Sequence, residues 1–171
     1  ILCFFAQFTF TFVIFSLIPT LPIYLSRLGS KEVEIGVLIG SSAVASLVLR
    51  PFVGRALLKI PEKRFMIIGA LFFASASIAY IFAPPFWPFL IVSVLQGIGF
   101  ALFTTASFTL IAKISSGAHM GQSLSYFMLA FTISSALAPP MAMFLINHFS
   151  FIFLFLICLG LSLCSLFITH Q

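Results

Sequence analysis

Along this chain, apolar residues come in long uninterrupted blocks separated by short polar or proline-rich breaks. A helix needs about 20 mostly apolar residues to cross a bilayer, and six blocks reach that length. The pattern predicts helices over residues 3–25, 31–57, 64–83, 89–114, 123–146 and 149–169. The first break combines Gly29 as a helix stop with Ser30, Glu32 and Glu34 as start signals for the second helix. The second holds Arg55, Lys59, Glu62, Lys63 and Arg64 around the breaker Pro61, and the third is the uncharged cluster Pro84-Pro85-Phe86-Trp87-Pro88. Its tryptophan suits the membrane interface. A polar link from Ser115 to Gln122 precedes the fifth helix.

Composition turns this pattern into a class. Of 171 residues, 62% are hydrophobic and 6% charged, whereas a soluble domain has roughly a quarter of its residues charged. No water-soluble enzyme surface can be built from that balance. A signal peptide would be one short apolar stretch ahead of a polar mature domain, but this chain stays apolar to Thr169. The start at Ile1 and the stop at Gln171, just after the last apolar run, read as a cut or processed chain. Cys3, Cys158 and Cys164 lie in apolar runs as small hydrophobes, which gives neither a disulfide nor a metal site.

Charge sets the orientation. Arg50, Arg55, Lys59, Lys63, Arg64 and Lys113 flank one set of span ends, while Arg27 and Lys31 flank the other. Positive charge is retained in the cytoplasm, so the richer side and both chain ends are expected there, in a cytoplasmic (inner or plasma) membrane. The net charge of +5 then reflects topology and not nucleic-acid binding.

Few residues inside the spans carry chemistry. Arg50 is embedded in an apolar stretch, where a charge is costly enough to be a functional candidate. A guanidinium near a helix end also snorkels to the interface, and that structural role is weighed above substrate contact. Gln7 and Thr11 stand one turn apart on helix 1, while Gln96, Thr104, Thr105 and Ser107 give helix 4 a polar face. These are candidates for a shared cavity, with Gln7, Thr11, Gln96 and Thr104 foremost. Polar side chains also glue helices together, and for the two glutamines both readings stand. Gly36 and Gly40 have the spacing that lets helices approach closely. Pro139-Pro140 should bend or locally open helix 5, as a gate or a fixed bend.

Other chemistry is excluded. The acidic residues Glu32, Glu34 and Glu62 lie in or beside loops, so no carboxylate sits within a span to relay protons. His119, His148 and His170 fall at span ends. No catalytic set appears at matching depth, and no phosphate-binding Gly-x-x-x-x-Gly-Lys loop is present. An intramembrane enzyme has no visible seat.

Three segments carry a family resemblance. Residues 50–64, Arg-Pro-Phe-Val-Gly-Arg-Ala-Leu-Leu-Lys-Ile-Pro-Glu-Lys-Arg, resemble the cytoplasmic signature of the major facilitator superfamily of secondary transporters, with Gly54, Lys59 and Arg64 matching. Leu58 replaces its aspartate and Pro61 its second glycine. Gln96, Gly97 and Gly99 are similar to the family's helix 4 motif, with Ser93 in place of its arginine. Ser134, Ala138, Pro139 and Ala142 form a small-residue version of the helix 5 pattern of its exporters.

The resemblance implies an all-α polytopic fold, a six-helix transmembrane bundle built as a 3+3 inverted repeat that makes one lobe of the carrier. It implies alternating-access transport of a small molecule, with efflux as the direction, no cofactor, and a lipid bilayer as surroundings. Helices 1, 2, 4 and 5 would face a second six-helix lobe absent from this chain, or a homodimer partner in its place, and helices 3 and 6 would face lipid. Arg50, Gly54, Lys59 and Arg64 fall in the gating motif. Gly36, Gly40, Gly97, Ala138 and Pro139 serve packing or bending. A truncated or non-transporting scaffold is the alternative.

Overall fold

The computed structural model describes residues 2–82, 87–115 and 120–170. The expected proline pair Pro84-Pro85, His119 and most of the link before helix 5 lie outside the described residues. Within them the chain forms six helices: α1 (Leu2–Arg27), α2 (Glu32–Ala56), α3 (Glu62–Phe82), α4 (Trp87–Ile114), α5 (Met120–His148) and α6 (Phe151–His170). Each contains a stretch long and apolar enough to cross a membrane.

The spans fall where the apolar blocks put them, and several helices run past the expected ends. Helix α5 begins three residues before 123, and α4 takes in Trp87 and Pro88. Proline is tolerated there because the first turn of a helix has no intrahelical partner for its N–H. Phe149, expected in the sixth helix, lies just past the end of α5, where its N–H donates to the Leu145 carbonyl (2.8 Å), and α6 starts two residues later. The stop after α1 is the one Gly29 predicts: its φ is 85° and the Ser30 N–H closes back on the Leu25 carbonyl (3.1 Å). Glu34 caps α2 by accepting the Lys31 N–H at 3.0 Å.

The helices pack in the order α2, α4, α3, α6, α1, α5, each against the next. Exchanging α1 with α4, α2 with α5 and α3 with α6 reproduces the same order reversed. Close approach replaces bulky interdigitation between α3 and α4. A Cβ on Gly69 would stand 2.8 Å from the Gly99 carbonyl oxygen, and one on Gly99 would stand 2.9 Å from that of Gly69. Gly97 meets α2 in the same way, against the backbone of Ser42.

Among the described residues, nothing packs against Gly36 and Gly40, where close packing was expected. Both face open space, as does Gly54, because α2 touches its neighbours along a different line and is the least buried of the spans. In α5 the buried residues Phe127, Ala130, Ser134, Ala138, Ala142 and Ile146 recur every three to four positions. This stripe faces the α1 side, where Ser134 donates to the Phe8 carbonyl (3.0 Å). The helix continues unbroken through Pro139 and Pro140.

Aromatic rings and serines hold the centre. Phe10 of α1 lies between Phe103 of α4, stacked at 3.8 Å, and Phe73 of α3, edge-on at 4.8 Å. Three serines from three helices reach neighbouring positions of α1: Ser165 of α6 donates to the Ala6 carbonyl, Ser107 of α4 to the Gln7 side-chain oxygen, and Ser134 of α5 to the Phe8 carbonyl. With no water in the bilayer core to compete, hydroxyl-to-carbonyl bonds are the available polar link between helices.

Candidate functional site

Because α2 and α5 end the packing order and touch neither each other nor α3 extensively, a groove remains between them. Its floor is α1 and α4. A cavity of about 580 Å³ occupies it, lined by Ile14, Phe15 and Ile18 of α1, Ile39, Ser42, Ala43, Ser46, Leu47 and Arg50 of α2, Gln96, Gly97 and Phe100 of α4, and Phe131 of α5. Phe73 of α3 reaches the floor as well. A second chamber of about 440 Å³ continues toward the Lys113 end of α4, with Thr104, Thr105, Phe108, Thr109 and Met128 in its wall. Arg50, Phe100 and Phe131 line both chambers and form the waist between them.

Proline shapes this wall. Pro19 and Pro22 in α1 and Pro51 in α2 lack the N–H that would bond the carbonyls of Phe15, Ile18 and Leu47, four residues before. All three released carbonyls belong to residues that line the larger chamber.

The sequence candidates divide between groove and interior. Gln96 lines the cavity while its side-chain oxygen accepts the Tyr80 hydroxyl from α3. It therefore serves packing and cavity together, with its NH₂ as the remaining donor group. Thr104 is in the second chamber, its hydroxyl donated to the Phe100 carbonyl.

Gln7 and Thr11, expected at the cavity, do not line either chamber. Both are fully buried between α1 and α4. The Gln7 amide donates to the Thr11 hydroxyl at 3.0 Å and accepts from Ser107 at 3.1 Å. A buried amide needs both ends satisfied, and this network does so without a ligand.

Arg50 is exposed on the groove face of α2, its guanidinium 5.6 Å from the centre of the Phe100 ring. The contact is within cation–π range. Among the described residues it has no ion pair; the recorded one joins Lys113 to Glu62 at 3.1 Å. Of the motif residues, Lys59 and Arg64 are exposed beyond the end of α2, and Leu58, in the aspartate's place, is 86% exposed.

The sequence reading passed over Ser42, Ser46, Phe100 and Phe131 as cavity residues and treated Glu62 only as a loop acid. Ser42 and Ser46 stand one turn apart and one turn before Arg50 on α2, which was the available signal for a shared face. Glu62 carried none, since its partner Lys113 is 51 residues away. No group of three or more His, Cys, Asp or Glu side chains that would hold a metal occurs among the described residues.

Comparison with known proteins bears on this geometry. The family model of the Major Facilitator Superfamily matches residues 3–169. An uncharacterised MFS-type transporter of Methanocaldococcus jannaschii is 29% identical over 154 residues, covering 90% of this chain and 40% of the relative. Quinolone resistance protein NorA of Staphylococcus aureus is 26% identical over 109 residues, 64% of this chain and 28% of the relative. Among solved structures, the human organic anion transporter MFSD10 superposes with a TM-score of 0.83 at 17% identity, over 98% of this chain and 45% of that one. The chain thus spans less than half the length of these relatives.

Proposed function

We propose that this chain, which belongs to the major facilitator superfamily, forms one lobe of an alternating-access carrier and supplies half of its substrate site. The observation that carries the reading is the groove between α2 and α5, whose floor is α1 and α4 and whose back is closed by α3 and α6. A second six-helix lobe, or a second copy of the chain, would close it near the bilayer midplane. The coverage of 40% and 45% of two longer relatives supports a second lobe of similar size. The packing order, unchanged when α1–α3 and α4–α6 are exchanged, supports the three-plus-three repeat.

Efflux is the direction we favour, because one relative is named for quinolone resistance. The exposed Arg55, Lys59, Lys63 and Arg64 support a cytoplasmic position for the α2–α3 link, and with six spans for both chain ends, in the cytoplasmic membrane.

The test is accumulation of a fluorescent quinolone in inside-out vesicles carrying the natural gene product, with and without a proton gradient. Gradient-driven accumulation that is abolished by Ala43→Trp, a substitution filling the groove wall, is the expected result. Absence of flux under both conditions would favour a non-transporting scaffold, and flux indifferent to Ala43→Trp would remove the groove as the route.

A further inference from the structure

Charge and aromatic surface meet at one point of the groove. Arg50 is the charged side chain in the walls of both chambers, and it stands at their waist beside Phe100 and Phe131. Its guanidinium lies over the Phe100 ring, and Phe131 packs edge-on against Phe15 across the same floor, at 5.2 Å.

The chain offers this cation no carboxylate. Its three acidic residues are Glu32, Glu34 and Glu62. Glu32 and Glu34 lie in the first turn of α2, 16 or more residues before Arg50 and hence roughly 24 Å or more away along the helix. Glu62 is paired with Lys113. Within this lobe the guanidinium has no counter-charge, and its five donors in a planar fork match a carboxylate, sulfonate or phosphate edge. The rings beside it offer flat faces to an aromatic body.

We infer that Arg50 anchors the anionic group of an aromatic organic acid, whose ring system lies at the waist against Phe100 and Phe131. This inference rests on the groove being the substrate site and adds the charge class of what it takes. Ser46, one turn away on α2 and in the same wall, and the Gln96 NH₂ are the neutral donors on hand to orient the rest of the ligand.

The experiment measures binding of three probes of one shape to the purified natural gene product: 2-naphthoate, 2-naphthamide and 2-naphthylmethylammonium. Wild type should prefer naphthoate. Arg50→Gln should weaken naphthoate by about tenfold or more, the worth of a charge-assisted pair, while leaving naphthamide within about twofold. Arg50→Lys should recover part of the loss, because it restores charge without the fork.

Two results overturn the anchor while leaving the groove reading intact. One is naphthoate binding that Arg50→Gln does not change although Ala43→Trp abolishes it; a loss of thermal stability in Arg50→Gln would then assign the guanidinium to a carboxylate of the opposing protein wall. The other is an equal loss for all three probes, which marks a structural role. Binding of none of the probes overturns the anchor and leaves the groove to the quinolone test, whereas binding that Ala43→Trp leaves untouched overturns the anchor and removes the groove with it.

Discussion

The backbone of Gly97 lies against that of Ser42, so closely that a Cβ on Gly97 would collide with the Ser42 carbonyl. The obstacle is main chain, which cannot swing aside as a side chain would. Gly97→Ala must therefore separate α2 from α4, at the about 1–3 kcal/mol typical of overpacking. Gly36→Ala and Gly40→Ala meet open space within this lobe and should keep stability or raise it, by up to about 1 kcal/mol of helix propensity. Thermal unfolding of the three variants in detergent compares them directly, and equal melting for Gly97→Ala and wild type would contradict the contact.

Gln7 and Gln96 should respond to substitution in different assays. Gln7→Ala takes the amide donor from Thr11 in a closed interior, while Ser107 keeps its bond to the Thr104 carbonyl, so a cost of about 1 kcal/mol is expected. Once folded protein is isolated, its ligand affinity should equal wild type. Gln96→Leu also loses the Tyr80 bond, but its signature is weaker binding of groove probes. Melting temperature and probe affinity, taken on both variants, separate the roles, and a lost affinity in Gln7→Ala would return that residue to the cavity.

The Glu62–Lys113 pair links the start of α3 to the end of α4. Glu62 is buried while the Lys113 side chain is 71% exposed, so solvent screens the attraction and a coupling of about 1 kcal/mol or less is expected. A double-mutant cycle with Glu62→Gln and Lys113→Met should return that value and shrink it in high salt. Coupling several-fold larger would mean that the pair is shielded in the membrane-embedded protein.

Orientation is testable with single cysteines after Cys3, Cys158 and Cys164 are replaced. A membrane-impermeant maleimide applied to intact cells should label Ser30→Cys and spare Lys59→Cys, which should react only after permeabilisation. The reverse pattern would invert the assigned topology.

The spans were legible because each apolar block is long enough to cross a bilayer and each break holds charge, glycine or proline. Faces were harder to read. In a span such as α2, residues toward lipid and toward protein are equally apolar, so spacing cannot separate them. Gly36 and Gly40 had the expected spacing and proved open, while Gly69 and Gly99 met across two helices with nothing in either local sequence to pair them. Gln7 and Gln96 are likewise alike in sequence. What separates them is the partner, Ser107 and Thr11 in one case and Tyr80 beside a cavity in the other. Arg50 was conspicuous from the start, but its ring partner Phe100 lies 50 residues away in sequence.

The three serine hydroxyls that reach positions 6 to 8 of α1 have a mechanical consequence. They fix the axial rotation of that helix at one end, like a bearing, whereas Pro19 and Pro22 leave the far end with fewer backbone bonds to resist bending. From Gln7 to Leu25 the helix is a lever of roughly 27 Å. A tilt of about 5° at the bearing would sweep its tip by about 2 Å and move Ile18, about 17 Å along, by about 1.4 Å, enough to change the width of the groove there while Phe10, close to the bearing, barely shifts.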